Sequence, residues 1–199
     1  MELLTKQVNI TDKEQFKEAV ENLGSDKSKA EAIASQTQRT ISEQMDKDPE
    51  FFERFSKKIE EIIEKMRLGK LADIEALKQM RLISDDVLNK KGDDLPKEIK
   101  ELNGSDVFYR NLEAPFKKLN VDKDIYVSIV TDIFLILKHE AIIDWHKNID
   151  VKRKMINVID DYLYDEVKIK KGIDIDSDFI KPTIDTIMQL AENNFELFS

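Results

Sequence analysis

Residues able to do chemistry are few in this chain and crowd into one stretch. The two histidines, His139 and His146, flank the single tryptophan, Trp145, at a polar junction that leads into an acid-rich helical pattern ending near Tyr164. His139-Glu140 begins like a zinc-protease helix, whose second histidine must stand one turn on so that both reach one metal, but that position holds Ile143. The two histidines could at most meet across a helix end, where hydrogen bonding accounts for them better than metal ligation. Asp174, Asp176 and Asp178 alternate like the first ligands of a calcium loop, and Asp185 falls at its last position. The position that needs glycine for the sharp turn is Phe179, however, and Pro182 distorts the path, so negative charge at a helix N-terminus explains the aspartates better. Glu98-x-Lys100 and Glu166-x-Lys168 match the end of a metal-dependent nuclease signature, yet that signature needs strands to bring an upstream aspartate alongside, and both tripeptides lie in helical patterns. The five glycines stand far apart and none forms a phosphate-cradling loop before a Lys-Ser or Lys-Thr pair. These residues point to no catalysis, no cofactor and no metal.

The totals narrow the class further. At 199 residues, with 41% hydrophobic and 37% charged residues, the chain reads as globular with a heavily charged surface. Five glycines and four prolines leave few breakers, which favours long helices. The absence of cysteine removes disulfides and thiolate sites and suits a reducing compartment. No apolar run reaches the roughly 18 residues of a bilayer span, and the first ten residues lack the basic start and apolar stretch of a secretion signal. The expected location is the cytoplasm, with no membrane partner. A net charge of -9 argues against a whole surface built for phosphates. Local basic groups remain, Lys147, Lys152, Arg153 and Lys154 at the start of one helix and Lys168, Lys170 and Lys171 at its end, and they read as solvated faces and dipole pairing rather than DNA contacts.

The elements that must position these residues follow from helical spacing. Thr11 with Glu14 forms a capping box for a first helix that ends before Gly24. From Ser25 to Met45 the apolar positions Ala30, Ile33, Ala34, Thr37, Ile41 and Met45 make a thin stripe of mostly small residues, which needs a neighbour to bury much. Asp48-Pro49 restarts the chain, with an N-cap acceptor and a proline at the first helical position. Phe52, Phe55, Ile59, Ile62, Ile63 and Met66 then recur at three- and four-residue steps to Gly69, and a helix from about Ala72 to Lys90 completes a hairpin. A short helix starts at Pro96 and breaks at Asn103-Gly104, and another runs from about Asp106 to Lys118 with Pro115 bending or shortening it.

Asp122 caps the most apolar helix, carrying Ile125, Ile129, Val130, Ile133, Phe134 and Leu137 on one side and Val127, Leu135 and Ile136 on others. A helix apolar nearly all round belongs at the centre of a core. After Trp145, a helix capped by Asp150 and ended by Gly172 points Val151, Met155, Val158, Ile159, Tyr162 and Leu163 inward. A last helix runs from Pro182, or a turn earlier, to about Phe195, burying Ile184, Ile187, Met188 and Ala191. The expected fold is all-α: an irregular multi-helix bundle around a central apolar helix, with residues 1–47 as an N-terminal helical arm and residues 48–199 as a C-terminal helical domain.

Taken together, Asp144-Trp145, Asn148, Asp150, Met155 and Asp160-Asp161-Tyr162-Leu163 resemble the C-terminal region of the restriction (motor, R) subunit of type I restriction-modification enzymes. Ala30 to Arg39 resembles the helix that leaves that subunit's helical domain, and Asp48-Pro49-Glu50-Phe51-Phe52 through Ile63 resembles the opening of its C-terminal domain. The resemblance covers about Ala30 to Leu190. The intact subunit is similar to a three-part machine of metal-dependent nuclease, two ATP-hydrolysing helicase-like lobes and a helical tail, and the motifs of the first two parts are absent here. The resemblance thus implies a tail fragment, starting at an expression Met1, that belongs to an ATP-dependent type I site-specific deoxyribonuclease without being an enzyme alone.

Its implied work in DNA restriction is protein–protein interaction: docking the motor onto a methyltransferase core of modification and specificity subunits, beside the rest of the R subunit. DNA would be met only through the assembled complex. Trp145, Asn148, Arg153 and Tyr164 are the candidate contact residues, and for Trp145 the competing role is an anchor that pins the junction to the core. The alternative reading is a free-standing acidic helical protein that mimics DNA or regulates a DNA-binding enzyme, although 32 basic residues interrupt any row of carboxylates.

Overall fold

The computed structural model describes residue 10 and residues 13–198, and among them the chain is all-α, with nine α-helices and no strand. The capping box expected at Thr11 lies outside the described residues. The chain divides into two compact units, residues 1–45 with 49–93, and residues 46–48 with 94–199.

The first unit holds α1 (Lys13–Glu21), α2 (Asp26–Gln44), α3 (Pro49–Arg67) and α4 (Asp73–Asn89). Ser25 caps α2 by accepting from the Ser28 N–H at 3.1 Å. The small residues Ala30 and Ala34 let α2 lie close against α4, its most extensive contact, and both pack on α3. Phe51, Phe52, Phe55, Ile59, Ile62 and Met66 form the buried stripe of α3, largely as its spacing predicts. Gly69, in the left-handed region at φ 66°, turns the chain out of α3 while the Lys70 N–H bonds the Lys65 carbonyl at 2.8 Å, so the last carbonyls stay satisfied. Arg54 lies over the Phe51 and Phe55 rings, 5.4 and 5.0 Å from their centroids, and pairs with Asp93.

This grouping corrects the expected boundary between residues 47 and 48. The α3–α4 hairpin shares a core with α2 and is not part of the C-terminal domain. The reason is the thin stripe on α2, which buries itself by covering the hairpin rather than standing apart as an arm.

The second unit holds α5 (Lys97–Glu101), α6 (Ser105–Lys118), α7 (Lys123–Glu140), α8 (Ile149–Asp161) and α9 (Ser177–Asn193). α7 is its centre, as its composition predicts: Ile129, Val130, Ile133 and Leu137 are completely buried, each worth roughly 1.5–3 kcal/mol before entropy. Asp122 caps it, accepting from the Asp124 N–H at 2.9 Å. Pro115 does not shorten α6, because it sits in the last turn, where one lost hydrogen bond leaves the helix running to Lys118.

Two features depart from the expected pattern after Trp145. Asn148, not Asp150, caps α8, its Oδ1 accepting from the Asp150 and Val151 N–H groups at 3.0 and 3.3 Å. Beyond Asp161 the helix widens into a π-helix, Tyr162–Lys170, closed by the Lys171 N–H on the Glu166 carbonyl. Met155, Ile159, Leu163 and Val167 are all completely buried, at a constant step of four. A four-residue step drifts off one face of a helix with about 3.6 residues per turn, and the wider π turn returns the later residues to the core.

Residues 46–48 are gripped by the second unit. Asn193 and Asn194 donate to the Asp46 and Lys47 carbonyls at 2.7 and 2.8 Å. Asp48, buried, accepts from Arg110 Nε at 2.9 Å and from Asn111 Nδ2 at 2.7 Å, and Arg110 also pairs with Asp106. Burial alone would lower the Arg110 pKa, but the Asp48 and Asp106 carboxylates outweigh it and raise the value. Replacing Asp48 with alanine takes a carboxylate partner away from a buried guanidinium. The expected loss is about 3 kcal/mol in denaturant unfolding, whereas a surface carboxylate such as Asp174 should cost less than about 0.5 kcal/mol on the same change.

Candidate docking surface

The chain reverses between α7 and α8 within a few residues, and Trp145 makes the reversal possible. Its N–H bonds the Ile142 carbonyl at 3.0 Å, and residues Trp145–Lys147 form one 3-10 turn that hands over to the Asn148 cap. Asp144 takes a left-handed conformation, φ 57°, which its short polar side chain tolerates. The indole is 1% exposed and meets Phe198 edge-on, with ring centroids 6.2 Å apart. Phe198 in turn contacts Phe108 and Phe134, so the tryptophan closes an aromatic cluster. Its Nε1–H has no acceptor among the described residues.

Of the four candidate contact residues, Trp145 is therefore buried and acts as an anchor, and Asn148 is occupied as a helix cap. Arg153 and Tyr164 are exposed. Arg153 lies 3.5 Å from Asp150, and Lys168 sits over the Tyr164 ring at 5.8 Å. The structure does not gather the four into one surface patch.

What the turn does expose is apolar. Ile142, Ile143 and Ile149 are 54%, 90% and 68% exposed, all within eight residues of sequence around the buried tryptophan. No local spacing in the sequence marks them as exposed, and it is the tight reversal that turns them outward. Beside Trp145, His146 stacks on the exposed Phe195 ring with centroids 4.1 Å apart. His139 bonds Glu140 at 3.1 Å, so the histidines serve separate contacts.

Three lysines around the turn are matched by carboxylates: Lys147 with Asp144 (3.0 Å), Lys152 with Glu192 (3.4 Å) and Lys154 with Glu140 (2.6 Å). Tyr162 donates to Asp132 at 2.7 Å. The Glu140–Lys154 and Tyr162–Asp132 bonds lie eight residues apart on each helix and tie α7 to the following helix in antiparallel register. Burial, and then the Asp132 carboxylate, push the Tyr162 hydroxyl pKa well up. Lys154, ahead of a smaller part from His139, holds the Glu140 carboxyl below its ordinary 4.5. Asp176 caps α9, accepting from the Phe179 N–H at 3.0 Å. Among the described residues no cluster of three potential metal ligands forms, and no helix is long and apolar enough to cross a membrane.

Comparison with protein-family models, with curated proteins and with solved structures finds no match to this chain.

Truncating Trp145 to alanine should cost about 3–5 kcal/mol in thermal or denaturant unfolding. Trp145→Phe should cost much less, because it also deletes an unpaired N–H that carries a penalty of about 1–3 kcal/mol. Tyr164→Ala should leave the midpoint unchanged within about 0.5 kcal/mol. The Glu140 contribution follows its lowered pKa: it is complete above pH 4.5 and is lost as the pH falls through the native value. Lys154→Met should flatten that acid limb of a stability-against-pH curve.

Proposed function

We propose that this chain is a non-catalytic docking domain, equivalent to the C-terminal helical region of a type I restriction enzyme R subunit. In that role it couples the DNA-translocating motor and nuclease to the cytoplasmic methyltransferase core of modification and specificity subunits. The observation that carries a docking role is the exposure of Ile142, Ile143 and Ile149 around a rigidly anchored turn. Apolar side chains held outward on a buried anchor favour contact with another protein surface. The choice of partner rests on the resemblance of the Asp144–Leu163 stretch to that family.

The charge pattern supports a protein partner over nucleic acid. A phosphate approaching α8 would have to displace Asp144, Glu140 or Glu192 from the lysines they already hold. A DNA mimic needs an unbroken row of carboxylates, and here cations alternate with them along the same helix.

Titration of the purified chain against a modification–specificity subunit complex, with and without competitor DNA, tests this. The wild type should bind and resist displacement by DNA. Ile143→Asp and Ile149→Asp should each weaken binding by about tenfold or more, roughly 1.4 kcal/mol, with the melting temperature unchanged. An inert wild-type chain, or isoleucine variants that bind as well as it does, would overturn the assignment.

A further inference from the structure

Between α7 and the α8–π helix runs an open groove of about 500 Å3, lined from both sides. Leu135, Ile136 and Val158 give it apolar walls, Asp132, Glu140 and Glu166 give it an acidic rim, and Tyr162 and His139, the latter bonded to Glu140, complete the lining. The α7 residues span Asp132 to Glu140, about 12 Å at 1.5 Å rise per residue, or roughly two turns of a docked helix. Leu135 is exposed although its helix is the core of the unit.

The three carboxylates are not equivalent. Lys154 neutralises Glu140 and Lys170 neutralises Glu166. Asp132 is partly buried and meets only hydroxyls: Tyr162 at 2.7 Å and Ser128 Oγ at 3.5 Å. Lys171 reaches that Ser128 oxygen at 3.4 Å and pairs with no carboxylate there. A carboxylate beside apolar walls, compensated only by neutral donors, attracts a cation more strongly than one in bulk water.

We propose that this groove seats an amphipathic helix of a protein partner, its apolar residues against Leu135, Ile136 and Val158 and a lysine or arginine against Asp132. This deepens the docking role, on which it rests for the partner being a protein. Two features make the occupant basic: the rim's one uncompensated charge is negative, and the whole chain carries -9, which steers a cationic segment inward. The geometry is that of helix-in-groove recognition, in which residues three and four apart fill the crease between two helices. The same carboxylates repel a phosphate backbone or an anionic lipid surface.

The test uses the full chain and a fluorescent, helix-forming peptide of leucine and lysine in amphipathic order, with a leucine–glutamate peptide of the same pattern as control. Anisotropy should show binding of the lysine peptide, weakened by salt, and none of the glutamate peptide. Asp132→Asn keeps an acceptor for Tyr162 while removing the charge, and Leu135→Ser alters only an exposed side chain. Each should weaken the lysine peptide about fivefold or more, while Asp174→Asn and Leu82→Ser, at exposed positions elsewhere, should not. Lack of binding by the wild type, or equal weakening by all four variants, would overturn the groove. Parallel titration with the modification–specificity complex separates the two claims. Peptide binding without subunit binding supports the groove and overturns the subunit assignment, and subunit binding without peptide binding does the reverse.

Discussion

The burial of Trp145 in the turn between α7 and α8 is the constraint on which the proposed docking face depends. Once the indole closes on Phe198, the chain has no length left to wander, and α8 must return antiparallel along α7. That register brings Glu140 to Lys154 and Tyr162 to Asp132, which leaves a crease between the helices. It also turns Ile142, Ile143 and Ile149 to solvent, because the residues flanking an inward tryptophan in so short a turn cannot all point inward.

Elsewhere the second unit spends its polar groups on closing irregular backbone. Asp48, Asn193 and Asn194 satisfy or anchor the short segment at residues 46–48, and Asn148 and Asp176 close helix starts. Side chains that suggest sites in a linear reading therefore have structural occupations. The alternating aspartates before α9 are one cap and its neighbours, and Asn148 is a cap before it is a contact. The basic residues of α8 are likewise paired with carboxylates, and the exposed apolar residues and Asp132 are the groups on which the docking proposal rests.

Much of this could be read from spacing alone. The stripe from Phe52 to Met66, the all-round apolar character of α7 and the Asp122 cap are local patterns, and local patterns survive folding. What could not be read depends on distant partners. Nothing near Asp48 in sequence announces Arg110, and nothing in α2 says that its alanines will approach α4 rather than leave an arm at residue 47. The π-helix is an intermediate case: the four-residue step of Met155, Ile159, Leu163 and Val167 was visible, but it is compatible with an ordinary helix until the core position of Val167 is known. The exposure of Ile142, Ile143 and Ile149 is of the same kind, since it follows from the turn that Trp145 closes and not from any local spacing.

The account stands on the claim that Trp145 fixes the register of α8 against α7. Hydrogen–deuterium exchange of the Trp145→Ala chain tests it most directly, under conditions where the variant remains folded. Amides of Ile149–Asp161 and Tyr162–Lys170 should lose protection selectively, while those in the middle of α7 keep theirs. If protection in α8 and the π-helix stays at the wild-type level without the indole, the turn does not hold the register, and the proposed docking face loses its foundation.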